Sequence, residues 1–487
     1  MEIKGDYRST VEDLAATIGI LVDNTADVFG IQTVLSEIMP GDIWARLRPT
    51  EQECCDAIKK GAVAVLCRDK PRHTDMTVLQ TDAFERDLGV LLNALYQEPS
   101  SHMKVMAVTG TNGKTTVSYL CAAAMQYLQH PATLIGSLGY GRVGQIRSQQ
   151  HTTPPAGELQ QKLAAARDRG DVFVAMEASS HGLDQGRLTG VMIDVAVFTN
   201  LTHEHLDYHK TINDYLAAKQ KLVMMNSVGV AVMNYDDPSG QLMIERTNKT
   251  LWPCSMESVP RGFKRWSYGS VRESTIKGFC LKITTHDASV LIESPLIGKF
   301  NAENLMYAHA VLCLLGIDAN EAAHALGSID TIPGRMQRMR FNELLCEVIV
   351  DYSHTPNALE RVLTELDNIK SGRLWLVFGC GGDRDKKKRS IMGAIAERLA
   401  DEVIITEDNS RSESFQAISQ DILSGMKCPG YAHVIEGRYQ AIKYALREAA
   451  ESDIVLIAGK GHETTLENQS GVKAFSDEAA VEAILVE

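Results

Sequence analysis
No run of apolar residues in this chain approaches the ~20 needed to cross a membrane, and residues 1–6 lack the apolar core of a secretion signal. Cysteine occurs ten times but never as Cys-x-x-Cys, and Cys54 and Cys55 are adjacent rather than framework-spaced. That spacing speaks against a disulfide scaffold or a zinc site and favours reduced thiols in a cytoplasmic protein. Positive charge is in deficit: 49 Lys and Arg against 62 Asp and Glu leave a net −13, which argues against a nucleic-acid partner. There is no internal repeat, no low-complexity tract, no Gly-x-Ser-x-Gly elbow and no evident nucleophile–base pair. The 44% hydrophobic and 23% charged fractions are those of a soluble globular protein. At ~150 residues per domain, 487 residues predict about three domains.

What is present centres on Val105-Met106-Ala107-Val108-Thr109-Gly110-Thr111-Asn112-Gly113-Lys114-Thr115-Thr116. A strand-like run enters Gly-x-x-Gly-Lys-Thr, and Val117, Leu120, Cys121, Ala124, Met125 and Leu128 then recur at helical spacing. Strand, glycine loop and helix in that order make a P-loop, where backbone N–H groups and a helix N-terminus face phosphate. Lys114 is placed against the outer phosphates and Thr115 offers its hydroxyl to Mg²⁺. The glycine spacing is one residue shorter than the common form.

Three domains are expected, at 1–97, 98–331 and 332–487, all α/β. In the first, Asp42–Leu47 and Ala62–Leu66 read as strands around a Glu51–Lys60 helix, and Glu98-Pro99-Ser100-Ser101 reads as a linker. In the second, apolar runs end at Glu177, Thr199 and Asn234, so a parallel sheet should present these termini beside the P-loop. Residues 240–295 read as an antiparallel insertion. After Pro333-Gly334-Arg335, four strands ending near Asp351, Gly379, Glu407 and Gly459 suggest a doubly wound, Rossmann-like domain with its own ligand edge.

Taken singly, several residues carry two readings. Glu177 is a helix-capping acid or a Mg²⁺ ligand opposite Thr115. His203 and His205 are surface residues or a metal pair. Lys219 reads as an ordinary exposed helix lysine, and Asp383–Arg389 as a solvated charged run or a carboxylate- or phosphate-binding loop.

From about residue 98 onward the motifs together resemble the Mur ligases, ATP-dependent amide-forming enzymes of peptidoglycan synthesis. They are Gly110–Thr116, Glu177-Ala178-Ser179-Ser180-His181-Gly182, His205-Leu206-Asp207-Tyr208-His209, Asn301-Ala302-Glu303-Asn304, Gly334-Arg335-Met336, Asp351-Tyr352-Ser353-His354, Gly381-Gly382-Asp383-Arg384 and Gly459-Lys460-Gly461-His462-Glu463. The resemblance implies domains for a UDP-sugar acceptor, ATP and an amino acid, in that order. It also implies an acyl phosphate attacked by an amine, a reaction of positioning and charge neutralisation. By motif match, Gly110, Thr111, Asn112, Gly113, Lys114, Thr115, Thr116, Asn301, Arg335 and Asp351 would contact ATP. Thr115 and Glu177 would hold one Mg²⁺, with His205 and a carbamylated Lys219 holding a second. Thr152, Thr153, Ser180, Gln185 and Arg187 would hold the acceptor, and Arg384, Asp408, Asn409, Arg411, Gly459 and Glu463 the amino acid. The partners implied are small molecules, with neither nucleic acid nor membrane, acting on a monomer.

Two departures stand out. Members adding meso-diaminopimelate carry Asp-Asn-Pro-Arg; here Asp408-Asn409-Ser410-Arg411 keeps the arginine, and the implied reaction is its addition to UDP-MurNAc-L-Ala-D-Glu. The family's Asp-Ser-Arg ahead of Pro-Gly-Asp is replaced by Thr33-Val34-Leu35 ahead of Pro40-Gly41-Asp42, and Arg46–Glu51 is too short for the glycine-rich uridine loop. A different carboxylic acid as acceptor therefore stays open. A P-loop NTPase driving motion and a non-catalytic binding protein stay open too, although the first leaves the third-domain motifs without a task.

Overall fold
The computed structural model describes residues 7–202, 204, 206–341 and 345–487, without the side chains of Leu206 and Asp207. The expected α/β class with parallel sheets is what the chain adopts. It forms two compact units, Met1–Tyr268 with Tyr307–Ala325, and Gly269–Met306 with Leu326–Glu487. Among the described residues no helix is long and apolar enough to cross a membrane.

Among its described residues the first unit carries a two-stranded antiparallel ribbon, Ser9–Thr10 with Asp27–Val28, and two larger sheets. The smaller has Gly30–Gln32, Asp42–Ala45, Ala64–Cys67 and Thr77–Gln80 in that order, all parallel. Glu51–Lys59 crosses between the second and third strands. Thr50 Oγ1 accepts from Glu53 N and the Glu53 carboxylate accepts from Thr50 N, a reciprocal cap that starts the helix immediately after Pro49. The Glu98–Ser101 segment, read as a polar linker, is an ordered turn at Pro99–His102 instead. Pro99 and Ser100 are buried in it, and Ser100 Oγ accepts from Met192 N at 3.0 Å.

In the larger sheet the P-loop strand Lys104–Thr109 lies between Ile193–Phe198 and Phe173–Glu177, parallel to both. The register opposes Thr109 to Phe198 and Val108 to Glu177, so three strands end at one level. Side chains from both faces are fully buried, as near-continuous Val, Ala and Phe runs require of a doubly covered parallel sheet. Outward lie Val228–Asn234 and Thr250–Ser255 on one side and Ala132–Gly136 on the other. Only part of the expected antiparallel insertion is antiparallel. Pro238–Arg246 is a helix, started by Asp237 accepting from Ser239 N at 2.8 Å, and Thr250–Ser255 continues the parallel sheet.

In the second unit Gly278–Thr285 and Ser289–Ser294 form the antiparallel hairpin. The main sheet there runs Gln337–Met339, Glu347–Asp351, Ile454–Ala458, Leu374–Phe378, Glu402–Ile405 and Ala432–Val434. The four expected strands sit side by side and parallel. The two short edge strands lacked enough residues to show a pattern in the sequence. Leu359, Val362, Leu363 and Leu366 put one face of the Pro356–Ile369 helix into the core.

Candidate active site
Gly110 to Gly113 turns the chain from strand to helix in the first unit. Gly110 has φ +149° and comes so close to Thr199 that an added Cβ would lie 1.9 Å from its Oγ1. Only glycine fits there. The loop is tied from behind: Asn112 N donates to Asn200 Oδ1 at 2.9 Å, Thr199 Oγ1 to Asn112 O at 2.6 Å, and Thr202 N to Thr111 Oγ1 at 2.9 Å. The following helix is Lys114–Tyr127, with Gly113 at its cap. Lys114 Nζ donates to Gly110 O at 3.0 Å and Thr111 O at 2.8 Å, holding its charge over the loop.

Glu177 is buried at the end of its strand and accepts from Thr115 Oγ1 at 3.1 Å and Ser137 N at 2.7 Å. Of its two readings the capping one fails, since Ser179 caps the next helix by accepting from Gly182 N. A hydroxyl and a carboxylate in hydrogen-bond contact beside a phosphate loop are hard oxygen donors, and this donor set fits Mg²⁺. Thr152 and Thr153 lie around the same residue: Ser137 Oγ, itself 3.4 Å from the Glu177 carboxylate, lies 3.0 Å from Thr152 Oγ1, and Thr153 Oγ1 donates to the Glu177 backbone carbonyl at 2.7 Å. Arg187 donates to Thr153 O and to Gln185 Oε1, so Thr152, Thr153, Gln185 and Arg187 are brought together, with buried Ser180 on the intervening helix.

Lys219 corrects the surface reading. It lies on Ile212–Met224 with 1% of its area exposed, and its Nζ donates to Gly110 O at 2.6 Å. Tyr215, one turn earlier, is buried beside it, so this helix face looks inward, which one polar-looking pentapeptide does not reveal. Burial first, and the nearby Lys114 charge second, push the Lys219 amine well below the usual lysine range. His203 and His205 lie outside the described residues.

The remaining expected ATP contacts are in the second unit. Asn301 is buried and donates to Ile297 O at 2.8 Å. Asp351 accepts from Met336 N at 2.7 Å and Ser353 N at 2.8 Å, which fixes the turn carrying Arg335. The Arg335 guanidinium stacks 4.4 Å over the Tyr352 ring.

The third cluster gathers at the carboxyl ends of Glu402–Ile405 and Ile454–Ala458. Asn409 Nδ2 donates to Glu463 Oε2 at 3.0 Å, and Gly459, at φ +113°, abuts Asp408. Burial raises the Asp408 carboxyl, but Arg438 and Lys460 outweigh it and hold the group below the ordinary range. Arg411, at φ +52°, donates to Gly382 O at 2.8 Å and pairs with Glu467 through Nε at 3.2 Å. Arg384 is exposed on the adjoining glycine loop. The charged run that contains it, Asp383–Arg389, is not simply solvated. Arg389 is fully buried and bonds Gly381 O, Glu413 and Asp421, partners too distant in sequence to be anticipated. Ser137, Asn200, Lys460 and Arg438 were not assigned from the sequence. The first three lie one or two residues past strand ends, a usable signal, whereas Arg438 carries none.

Comparison with known proteins places these clusters in a family. Residues 108–312 match the Mur ligase middle domain and 334–461 the Mur ligase glutamate ligase domain. The chain is 39% identical over 465 residues to the UDP-N-acetylmuramoyl-L-alanyl-D-glutamate–2,6-diaminopimelate ligase of Coxiella burnetii, covering 93% of this chain and 95% of that one. It is 40% identical over 445 residues to the enzyme of the same name from Thermosynechococcus vestitus, covering 88% and 87%. A solved structure of a ligase of that name superposes with TM-score 0.73 at 32% identity, over 98% of this chain and 99% of that one.

Proposed function
Because this chain belongs to the Mur ligase family, we propose that it joins meso-diaminopimelate to UDP-MurNAc-L-Ala-D-Glu in peptidoglycan synthesis, converting ATP to ADP and phosphate. The observation that carries the choice of amine is the grouping of Asn409, whose side-chain amide meets Glu463, with Arg411, whose guanidinium reaches the Asn409 backbone carbonyl at 3.4 Å. A carboxylate and a guanidinium meeting at one asparagine suit a substrate end bearing both an ammonium and a carboxylate.

In this reading Lys114 trades its backbone carbonyls for β/γ-phosphate oxygens. Thr115 and Glu177 would hold one Mg²⁺, and His205 with carbamylated Lys219 a second; such ions would supply charge neutralisation at the transferring phosphoryl group. The acceptor carboxylate, oriented by Thr152, Thr153, Ser180, Gln185 and Arg187, takes the γ-phosphoryl group and ADP leaves. The amine then attacks the acyl carbon, loses a proton, and the tetrahedral adduct expels phosphate. Asn301, Arg335 and Asp351 bind the remainder of ATP. The same proposal has residues 1–97 binding the acceptor, 98–331 ATP and 332–487 the amino acid, in a cytoplasmic monomer without a nucleic-acid or membrane partner.

The test is whether purified protein forms the tripeptide product with one phosphate released per amide. Phosphate release that needs no amine sinks the ligase reading. Failure with the UDP-dipeptide but success with another carboxylic acid gives the acceptor departure at Thr33-Val34-Leu35 its meaning.

Arg411→Ala is expected to raise the KM for diaminopimelate about 30-fold while leaving that for ATP unchanged. This is roughly 2 kcal/mol, the low end for breaking a charged pair, because Arg411 stays partly exposed. L-Lysine, without the distal carboxylate, should be a poor substrate of the unmodified enzyme. Equal use of lysine and diaminopimelate removes this role from Arg411.

A further inference from the structure
Lys460 lies between Gly459 and Gly461, just past the strand Ile454–Ala458, and none of its side chain is exposed. A buried ammonium is costly unless fully partnered, and an apolar side chain of similar length would occupy the space without that cost. Its Nζ donates to Glu463 Oε2 at 3.0 Å and to Asn409 Oδ1 at 3.3 Å, with Asp408 Oδ1 at 3.8 Å. The same Glu463 oxygen accepts from Asn409 Nδ2 at 3.0 Å, closing a three-membered ring of contacts. Asn409 Oδ1 also accepts from Glu467 N at 2.9 Å.

This ring determines the orientation of Asn409. Two donors converge on its oxygen, so its NH₂ must face Glu463; a flipped amide would set NH₂ against an ammonium and an N–H. Lys460 also offsets the negative charges of buried Asp408 and half-buried Glu463. Arg438 supports the same loops from below. Its guanidinium, fully buried with Asp477, donates to Ala458 O at 3.0 Å and Glu407 O at 3.3 Å. Lys460 is thus the cation set directly behind two residues read as touching the amine substrate.

The geometry points to Lys460 as a positioning residue for amine selection, acting through Asn409 and Glu463 on the substrate's distal ammonium and carboxylate. It rests on the amino-acid reading of that cluster. The test is steady-state ligation with full-length enzyme and meso-diaminopimelate, with thermal melts of each variant. Lys460→Met should raise the KM for diaminopimelate on the order of 10-fold or more, with kcat and the KM for ATP held within about twofold. Lys460→Gln, which keeps one N–H donor, should fall between the two. In an Asn409→Ala background the Lys460→Met effect should largely vanish, because residues acting as a unit are not additive. A parallel fall in kcat and in use of every substrate, or unfolding of both variants at the assay temperature, makes Lys460 a folding residue and overturns the proposal. An unmodified enzyme that ligates no diaminopimelate overturns the amino-acid reading and this role together. An active enzyme whose Lys460→Met variant keeps its KM overturns this role alone.

Discussion
Lys114→Ala is expected to lower ligation by on the order of 10³-fold or more, about 4 kcal/mol of transition-state stabilisation. Phosphoryl transfer asks little covalent chemistry of the protein, so fixed charge at the β/γ-phosphates carries much of the rate. Lys114 is aimed before any nucleotide arrives, its Nζ held by Gly110 O and Thr111 O at the mouth of the loop. Alanine leaves the loop backbone in place, since Asn112 and Thr111 are anchored independently by Asn200 and Thr202. The variant should therefore melt near the parent temperature while single-turnover ADP formation collapses. Lys114→Arg, cationic but longer and planar, should recover only a small part. Turnover of the alanine variant within tenfold of the parent would end the P-loop assignment.

Legibility in the sequence followed the range of the contacts. The P-loop was readable because everything it needs is contiguous: the apolar strand, Gly110 and Gly113 at positive φ, and the helix from Lys114. The parallel strands were readable because burial on both faces leaves unbroken apolar runs such as Ile454–Ala458. What escaped depends on partners far along the chain. Glu177 lost its ambiguity only when Thr115, 62 positions earlier, and Ser137 appeared on its two oxygens. Arg389 looked like one more solvated charge until Glu413 and Asp421 closed on it. The Pro238–Arg246 helix was missed although Asp-Pro-Ser-Gly is a serviceable start signal, because the short segments that follow suggested strands throughout. The burial of Lys219 escaped the residue-by-residue reading, although the family resemblance had already placed this lysine at a metal. Its helix carries Tyr215 and Lys219 on a face that a peptide-level reading assigns to solvent, whereas the fold turns that face onto Gly110.

That burial gives Lys219 the second large expected effect. We expect Lys219→Ala to lose on the order of 10²- to 10³-fold in kcat, the range for removing one fixed electrostatic contact at a reacting group. Carbamylation requires the neutral amine: the nitrogen lone pair adds to CO₂, a proton leaves to solvent, and a carboxylate-like anion remains. Most surface lysines are protonated near neutral pH and react poorly. Here burial, then the neighbouring Lys114 charge, drive the amine well below the ordinary lysine range, so the nucleophilic form is favoured. The sign fixes the pH dependence. As pH falls through that lowered value the amine protonates and carbamate formation stops, so stripping CO₂ and bicarbonate should slow the parent enzyme more severely at acid pH. The alanine variant should be indifferent to bicarbonate, and acetate or formate should restore part of its rate by supplying the missing oxygen donors. Lys219 also donates to Gly110 O, so a purely structural loss is the competing outcome. Lys219→Met separates the two, because it fills the space without an amine. A methionine variant as active as the parent, or an alanine variant that carboxylates fail to rescue, would return Lys219 to a role in holding the loop.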